Sequence, residues 1–217
     1  WGGGSLTITG QSKLILNGND GSISSGTDIM IDKARIECTT GSTYFAAPDE
    51  IPGIDCGRKL TISDSSLQMK RAELVERNGE IKYSPYNGID ASEVVLNNSN
   101  VDVHSEASAV ICDNLTLNGG TLNAETVHSW GLDIAQQFLI TDGTVVVEGL
   151  TPESSGGIYH APTYKYYTPL VTYGETEASG TLAVSPAAEA YTSSRYVKIQ
   201  RFYPPVITSN PVPMVPA

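Results

Sequence analysis

The chain has 217 residues, enough for one sizeable core or two small ones, with 24 acidic against 13 basic side chains and a formal net charge of −11. That balance argues against nucleic acid and anionic lipid surfaces, which need clustered Lys and Arg. The apolar runs are far too short for a membrane span.

With Trp at position 1 and no signal-peptide pattern, the sequence reads as a mature or excised segment. Its richness in Gly, Ser, Thr, Asn and Val suits a secreted or surface β protein.

In chain order, one pattern returns with little identity. Apolar anchors fall at Ile8, Ile31, Ile62, Leu96, Leu117 and Ile140, spaced 23, 31, 34, 21 and 23 residues apart. Two residues earlier stand Leu6, Ile29, Leu60, Val94, Leu115 and Phe138. Five and seven residues later come Ile36 and Cys38, Leu67 and Met69, Val101 and Val103, Leu122 and Ala124, Val145 and Val147; the first repeat uses Leu14 and Leu16. Ahead of the anchors lie Ile23, Ile54, Ile89, Val110 and Leu132, each followed two residues on by Ser25, Cys56, Ala91, Cys112 or Ile134. Alternation of this kind places one face in and one out. Turn residues ("SDSS", "NNSN", "NGGT", "TDGT") separate the first and second strands of each repeat.

Three short strands per repeat of about 22 residues predict an all-β fold, a single-stranded parallel β-helix or solenoid of about seven coils. A leucine-rich repeat is excluded by the missing L-x-x-L-x-L-x-x-N core, and a calcium β-roll by the missing G-G-x-G-x-D. Cys38, Cys56 and Cys112 take inward places. Cys56 and Cys112 lie two coils apart, roughly 10 Å, too far for a disulfide, so all three read as small core residues.

Two repeats carry insertions at one corner, 39–53 and 70–88, the second with a hairpin signal at Asn78-Gly79. Together they should form a lobe bearing Tyr44, Phe45, Arg71, Arg77, Tyr83 and Tyr86. Such a lobe is either packed on itself or one wall of a ligand groove.

Outward positions follow from the same register. The anchor strand presents Thr7, Met30, Thr61, Val95, Thr116 and Leu139, without acid, base or nucleophile. The second strand presents Glu37, Gln68, Asp102, Asn123 and Val146. The third presents Ser24, Asp55, Asp90, Ile111 and Asp133. Asp55 and Asp90 fall in one column, about 4.8 Å apart, where two carboxylates share a proton, bind a cation such as calcium, or splay into water. His104, His128 and His160 read as surface histidines in or near turns, in no common column. Trp130, in "VHSWG", is either an aromatic platform for a sugar ring or a lid over the core.

After Val147 the pattern fades. Ile158, Tyr166, Val171 and Tyr173 allow one further coil within 1–175. Residues 176–217 then supply a C-terminal β cap ("SGTLAVSP", "SRYVKIQRFY") and a Pro-rich extended tail.

The repeat pattern, with "GID", "LTI" and "GGT", resembles the right-handed parallel β-helix of the pectin-lyase-like superfamily over roughly residues 5–175. More narrowly it is similar to non-catalytic β-helical surface proteins of gut bacteria, some of them carbohydrate-binding. The resemblance implies a secreted or cell-surface module, carbohydrate-binding or adhesive. The insertion lobe and the "VHSWG" turn offer Tyr44, Phe45, Arg71, Tyr83, Tyr86 and Trp130 as its ligand contacts, and the expectation is a monomer without a cofactor, calcium apart. It leans away from an enzyme. The polygalacturonase-like pattern of Asn-Thr-Asp, Asp-Asp and Gly-His-Gly is absent. The pectate-lyase-like pattern has only Arg58 and Lys59 near Asp55. The alternative is a lyase or glycoside hydrolase using Asp55 and Asp90, with or without calcium. A third reading is a purely structural stalk.

Overall fold

The computed structural model describes residues 4–17, 23–40, 52–71, 76–77, 80–81, 86–151, 154, 157–159, 163–166, 169–184, 186 and 194–201. The fold is all-β. Its strands are β1 (Leu6–Thr9), β2 (Lys13–Asn17), β3 (Ile23–Ser25), β4 (Ile29–Asp32), β5 (Arg35–Thr40), β6 (Ile54–Ser63), β7 (Ser66–Arg71), β8 (Glu76–Arg77), β9 (Glu80–Ile81), β10 (Ile89–Ser105), β11 (Val110–Thr126), β12 (Leu132–Gly149), β13 (Ile158–Tyr159), β14 (Thr163–Tyr166), β15 (Pro169–Gly174), β16 (Thr181–Val184) and β17 (Tyr196–Arg201). Fifteen join one large, mostly parallel sheet, and β8 with β9 makes a separate antiparallel pair. That pair is the hairpin expected around Asn78-Gly79. Strands expected as separate pieces run together in β10, β11 and β12, whose ladders resume after short register shifts or skipped residues at the corners, as between Cys112 and Asn114 and between Asn118 and Thr121.

The register follows the repeat. Ile8 pairs with Ile31, Ile31 with Ile62, Ile62 with Leu96, Leu96 with Leu117, and Leu117 with Ile140. The column two residues earlier (Leu6, Ile29, Leu60, Val94, Leu115, Phe138) and the columns through Val101 and Val103 pair in the same way. So does the column Ile23, Ile54, Ile89, Val110, Leu132 and Ile158. From Ile29 to Val147 the inward members of these columns are almost wholly buried and form one continuous core. Period-two alternation is the cause: every second side chain must face the same way, so like stacks on like.

The turns between the first and second strands share a backbone device. Lys33, Asp64 and Asn98 sit at φ 50, 48 and 46°, and Gly119 and Gly143 at 108 and 100°. All but Lys33 lie in a turn read from sequence, and Asp, Asn and Gly are the residues that tolerate this left-handed region. A buried serine ladder runs beside them. The Ala34 amide donates to Ser65 Oγ (3.0 Å), the Ser65 amide donates to Ser99 Oγ (3.2 Å), and Ser99 Oγ donates to the Ile62 carbonyl (3.1 Å). Hydroxyls thus satisfy backbone groups where the chain turns inside the protein.

The cysteines are free and buried, with Cys56 and Cys112 on either side of Ala91 in one column. Burial pushes the Cys38 thiol up to about 12 and raises Cys56 and Cys112 as well. A neutral, buried thiol is a poor nucleophile. None of the three should therefore react with a chromogenic disulfide reagent in the native protein at neutral pH, and all three should react in denaturant. Native labelling of Cys38 or Cys112 would contradict this core.

The C-terminal region departs from expectation. Ile158 and Tyr166 do pair in parallel with Leu132 and Ile140, as the repeat requires. Val171 and Tyr173 do not stack on β12. Instead β17 lies between, antiparallel to both, with Val145 opposite Ile199 and Ile199 opposite Val171. Strand β16 then pairs antiparallel to β15. Val171 still joins the core, one strand further out than expected. Antiparallel and parallel strands show the same alternation, so periodicity alone does not separate them.

Candidate functional site

Two outward faces carry chemistry. The first follows the third-strand column. Ser24 pairs with Asp55, Asp55 with Asp90, Asp90 with Ile111, Ile111 with Asp133, and Asp133 with Tyr159. Buried Ile54 and Cys56 flank Asp55, and buried Ile89 and Ala91 flank Asp90, which fixes these carboxylates outward. Adjacent members sit about 4.8 Å apart along the sheet. Ser24 Oγ donates to Asp55 Oδ2 at 3.3 Å. At the far end the Trp130 and Tyr159 rings stack, centroids 4.7 Å apart and planes 15° from parallel. Trp130 precedes Gly131, where a Cβ would stand 1.9 Å from Val147 Cγ1. Glycine lets the chain beside Trp130 approach Val147 this closely. On the adjoining surface Arg58 pairs with Asp28 at 3.3 Å and Lys59 with Glu93 at 2.9 Å.

The second face follows the second strands. Glu37 accepts hydrogen bonds from Lys13 and from Lys70, the latter at 2.7 Å. These two ammonium groups hold its carboxyl down at about 2. Further along, His104 Nε2 lies 3.2 Å from Asp102 Oδ1, and His104 Nδ1 lies 2.7 Å from Glu125 Oε2. Partial burial raises Glu125, the imidazole beside it works in the opposite direction, and Asp102 and Glu148 add to the rise. A groove of about 340 Å³ opens beside this cluster, lined by Gln68, Lys70, His104, Ser105, Val127 and Leu150.

The expected residues distribute as follows. Asp55 and Asp90 are brought together, and Trp130 joins their face through Tyr159. Tyr86 is a core residue, only 2% exposed, and its carbonyl accepts from the Ala107 amide at 3.0 Å. It presents no ring to a ligand, a correction to its expected surface role. Arg71 ends β7, and its side chain lies outside the described residues, as do Tyr44, Phe45, Tyr83 and His160. His128 stands 3.7 Å from the buried Glu106. His104 is not in a turn but within β10, and it pairs in register with Glu125. The cluster around it escaped sequence reading because the outward column was followed only to Asp102. Carried two residues further, the same register yields His104, Glu125 and Glu148.

Compared with protein-family models, curated proteins and solved structures, the chain matches none. Among the described residues, no helix is long and apolar enough to cross a membrane.

Proposed function

We propose that this chain is a non-catalytic, extracellular or cell-surface module of the right-handed parallel β-helix kind, and that it binds a carbohydrate along its third-strand face. One observation carries the reading: an in-register column that holds Asp55, Asp90 and, past Ile111, Asp133, and ends in the stacked Trp130–Tyr159 pair. Aromatic rings pack against the apolar C–H face of a sugar, and carboxylates accept hydrogen bonds from its hydroxyls. A sheet holds these groups at fixed spacing, so little order remains to be imposed when an extended chain binds. The net charge of −11 favours a neutral glycan over an acidic one. The columns of paired repeats support the helical arrangement, each repeat adding one layer.

The test is a panel of neutral polysaccharides on affinity gels, with and without calcium, alongside assays for released reducing and unsaturated ends. Retention without release is expected. Trp130→Ala should weaken retention about tenfold, the equivalent of roughly 1.4 kcal/mol, at an unchanged Tm. Retention that ignores this substitution would remove the aromatic end from the site. The adjacency of Asp55 and Asp90 favours the second reading, a lyase or hydrolase. Product release abolished by Asp90→Asn would establish that reading in place of the first.

A further inference from the structure

The second-strand face carries a cluster that the glycan reading does not use. We propose that Asp102, His104 and Glu125 form a binding site for a divalent transition-metal ion of the zinc class, with His104 Nε2 and Asp102 Oδ1 as ligands and Glu125 positioning the imidazole.

Geometry is the first support. One donor atom from each residue lies within 4.8 Å of the others. His104 Nε2 and Asp102 Oδ1 are 3.2 Å apart. Two ligands bound tetrahedrally at about 2.0–2.1 Å would stand about 3.3 Å from each other. The pair therefore needs almost no movement to share an ion. On the other side of the ring, Nδ1 lies 2.7 Å from Glu125 Oε2. An Nδ1–H donated to a carboxylate leaves the Nε2 lone pair for a metal and fixes the ring plane, the usual outer arrangement of a metal-bound histidine.

The frame is the second support. Asp102 and His104 lie on either side of buried Val103, and Glu125 follows buried Ala124 on the neighbouring strand. Their backbones are locked in the ladder, so the donors are placed before any ion arrives. The groove beside His104 gives an ion and its remaining water ligands a way in. Gln68, in register with Asp102, lines the same groove and offers an amide oxygen. Lys70 also lines it, but its ammonium is drawn to Glu37 at 2.7 Å.

Ligand chemistry selects the ion. An imidazole with carboxylates suits zinc and its neighbours, whereas calcium takes six to eight oxygens. Two carboxylates and a neutral imidazole balance a divalent charge.

The experiment titrates zinc chloride into the metal-free full chain, followed by calorimetry and by the imidazole NMR signals of its three histidines. Saturable binding that moves the His104 signals is expected. His104→Gln and Asp102→Asn should abolish it, while Asp55→Asn, on the other face, keeps it. Glu125→Gln should weaken affinity roughly 10–100-fold at an unchanged metal-free Tm. Calcium chloride in parallel should leave the His104 signals in place. If zinc does not move them, the cluster is a histidine side chain hydrogen-bonded between two carboxylates and the proposal fails. It fails equally if His104→Gln binds zinc as the parent does, or if calcium moves the signals as zinc does.

Discussion

Phe138→Ala should destabilise the protein by about 3–5 kcal/mol, lowering Tm in a circular-dichroism melt by roughly 10 °C or more. Phe138 is fully buried and heads the largest of the wholly enclosed side chains. It stands in the column of Leu115 and pairs in register with Tyr164 on β14, so its strand lies between the regular repeats and the C-terminal strands. Truncation removes a large apolar transfer term and leaves a cavity that a ladder-bound backbone cannot collapse to fill. Phe138→Leu should cost far less, because it keeps most of the volume. Leu139→Ala supplies the control. That side chain points outward and is only half-buried, so its loss should stay near 0.5 kcal/mol. A small effect at Phe138, comparable to that at Leu139, would mean that the inward and outward faces are wrongly assigned.

Gly120→Val should be of similar size, about 2–5 kcal/mol in urea unfolding, for a different reason. Gly120 sits at φ +84°, and a Cβ there would stand 2.0 Å from the Ser99 carbonyl oxygen and 2.6 Å from its amide nitrogen. Both obstacles are backbone, so no rotamer relieves the clash. Ser99 is itself fixed in the serine ladder, with its hydroxyl donated to the Ile62 carbonyl. The corner of Ser65 and Ser99 narrows at Gly120 until no side chain fits. Gly26→Ala, where nothing lies within 4 Å of the added carbon, should change the urea midpoint little. Equal midpoints for the two variants would show that the corner is looser than described.

Much of the fold was legible in the sequence because burial enforces a rule that letters can display. A parallel ladder asks only that apolar side chains recur at fixed offsets, and the anchors from Ile8 to Ile140 obey it despite two insertions. The corners were legible for a related reason: Asp64, Asn98, Gly119 and Gly143 are residues that tolerate the left-handed backbone, although Lys33 meets the same demand without announcing it. The reversal at β17 was not legible, since "YVKIQR" alternates identically in either direction. Tyr86 was misplaced because a single aromatic at the edge of an insertion has no periodic neighbours to show which way it faces. The carboxylate row was readable as a column. Its junction with Trp130 was not, because that contact crosses a corner to Tyr159. His104 and Glu125 became a pair only when two strands were set side by side.

The reversal of direction at β17 has a consequence for how such a molecule can change size. Upstream of β12, each repeat meets its neighbours through the same ladder, and spacings from 21 to 34 residues are already accommodated. Duplicating residues 110–131 in frame would therefore add one more parallel strand to the sheet, about 4.8 Å of ladder, while offering familiar partners on both sides. Beyond Thr144–Glu148 the next partner runs the other way, and a duplicate of β12 placed there would meet an edge of opposite polarity. Length is thus adjustable in whole units on one side of that boundary and closed on the other. In evolutionary terms β17 marks where the parallel, repeatable part of the sheet gives way to an antiparallel one.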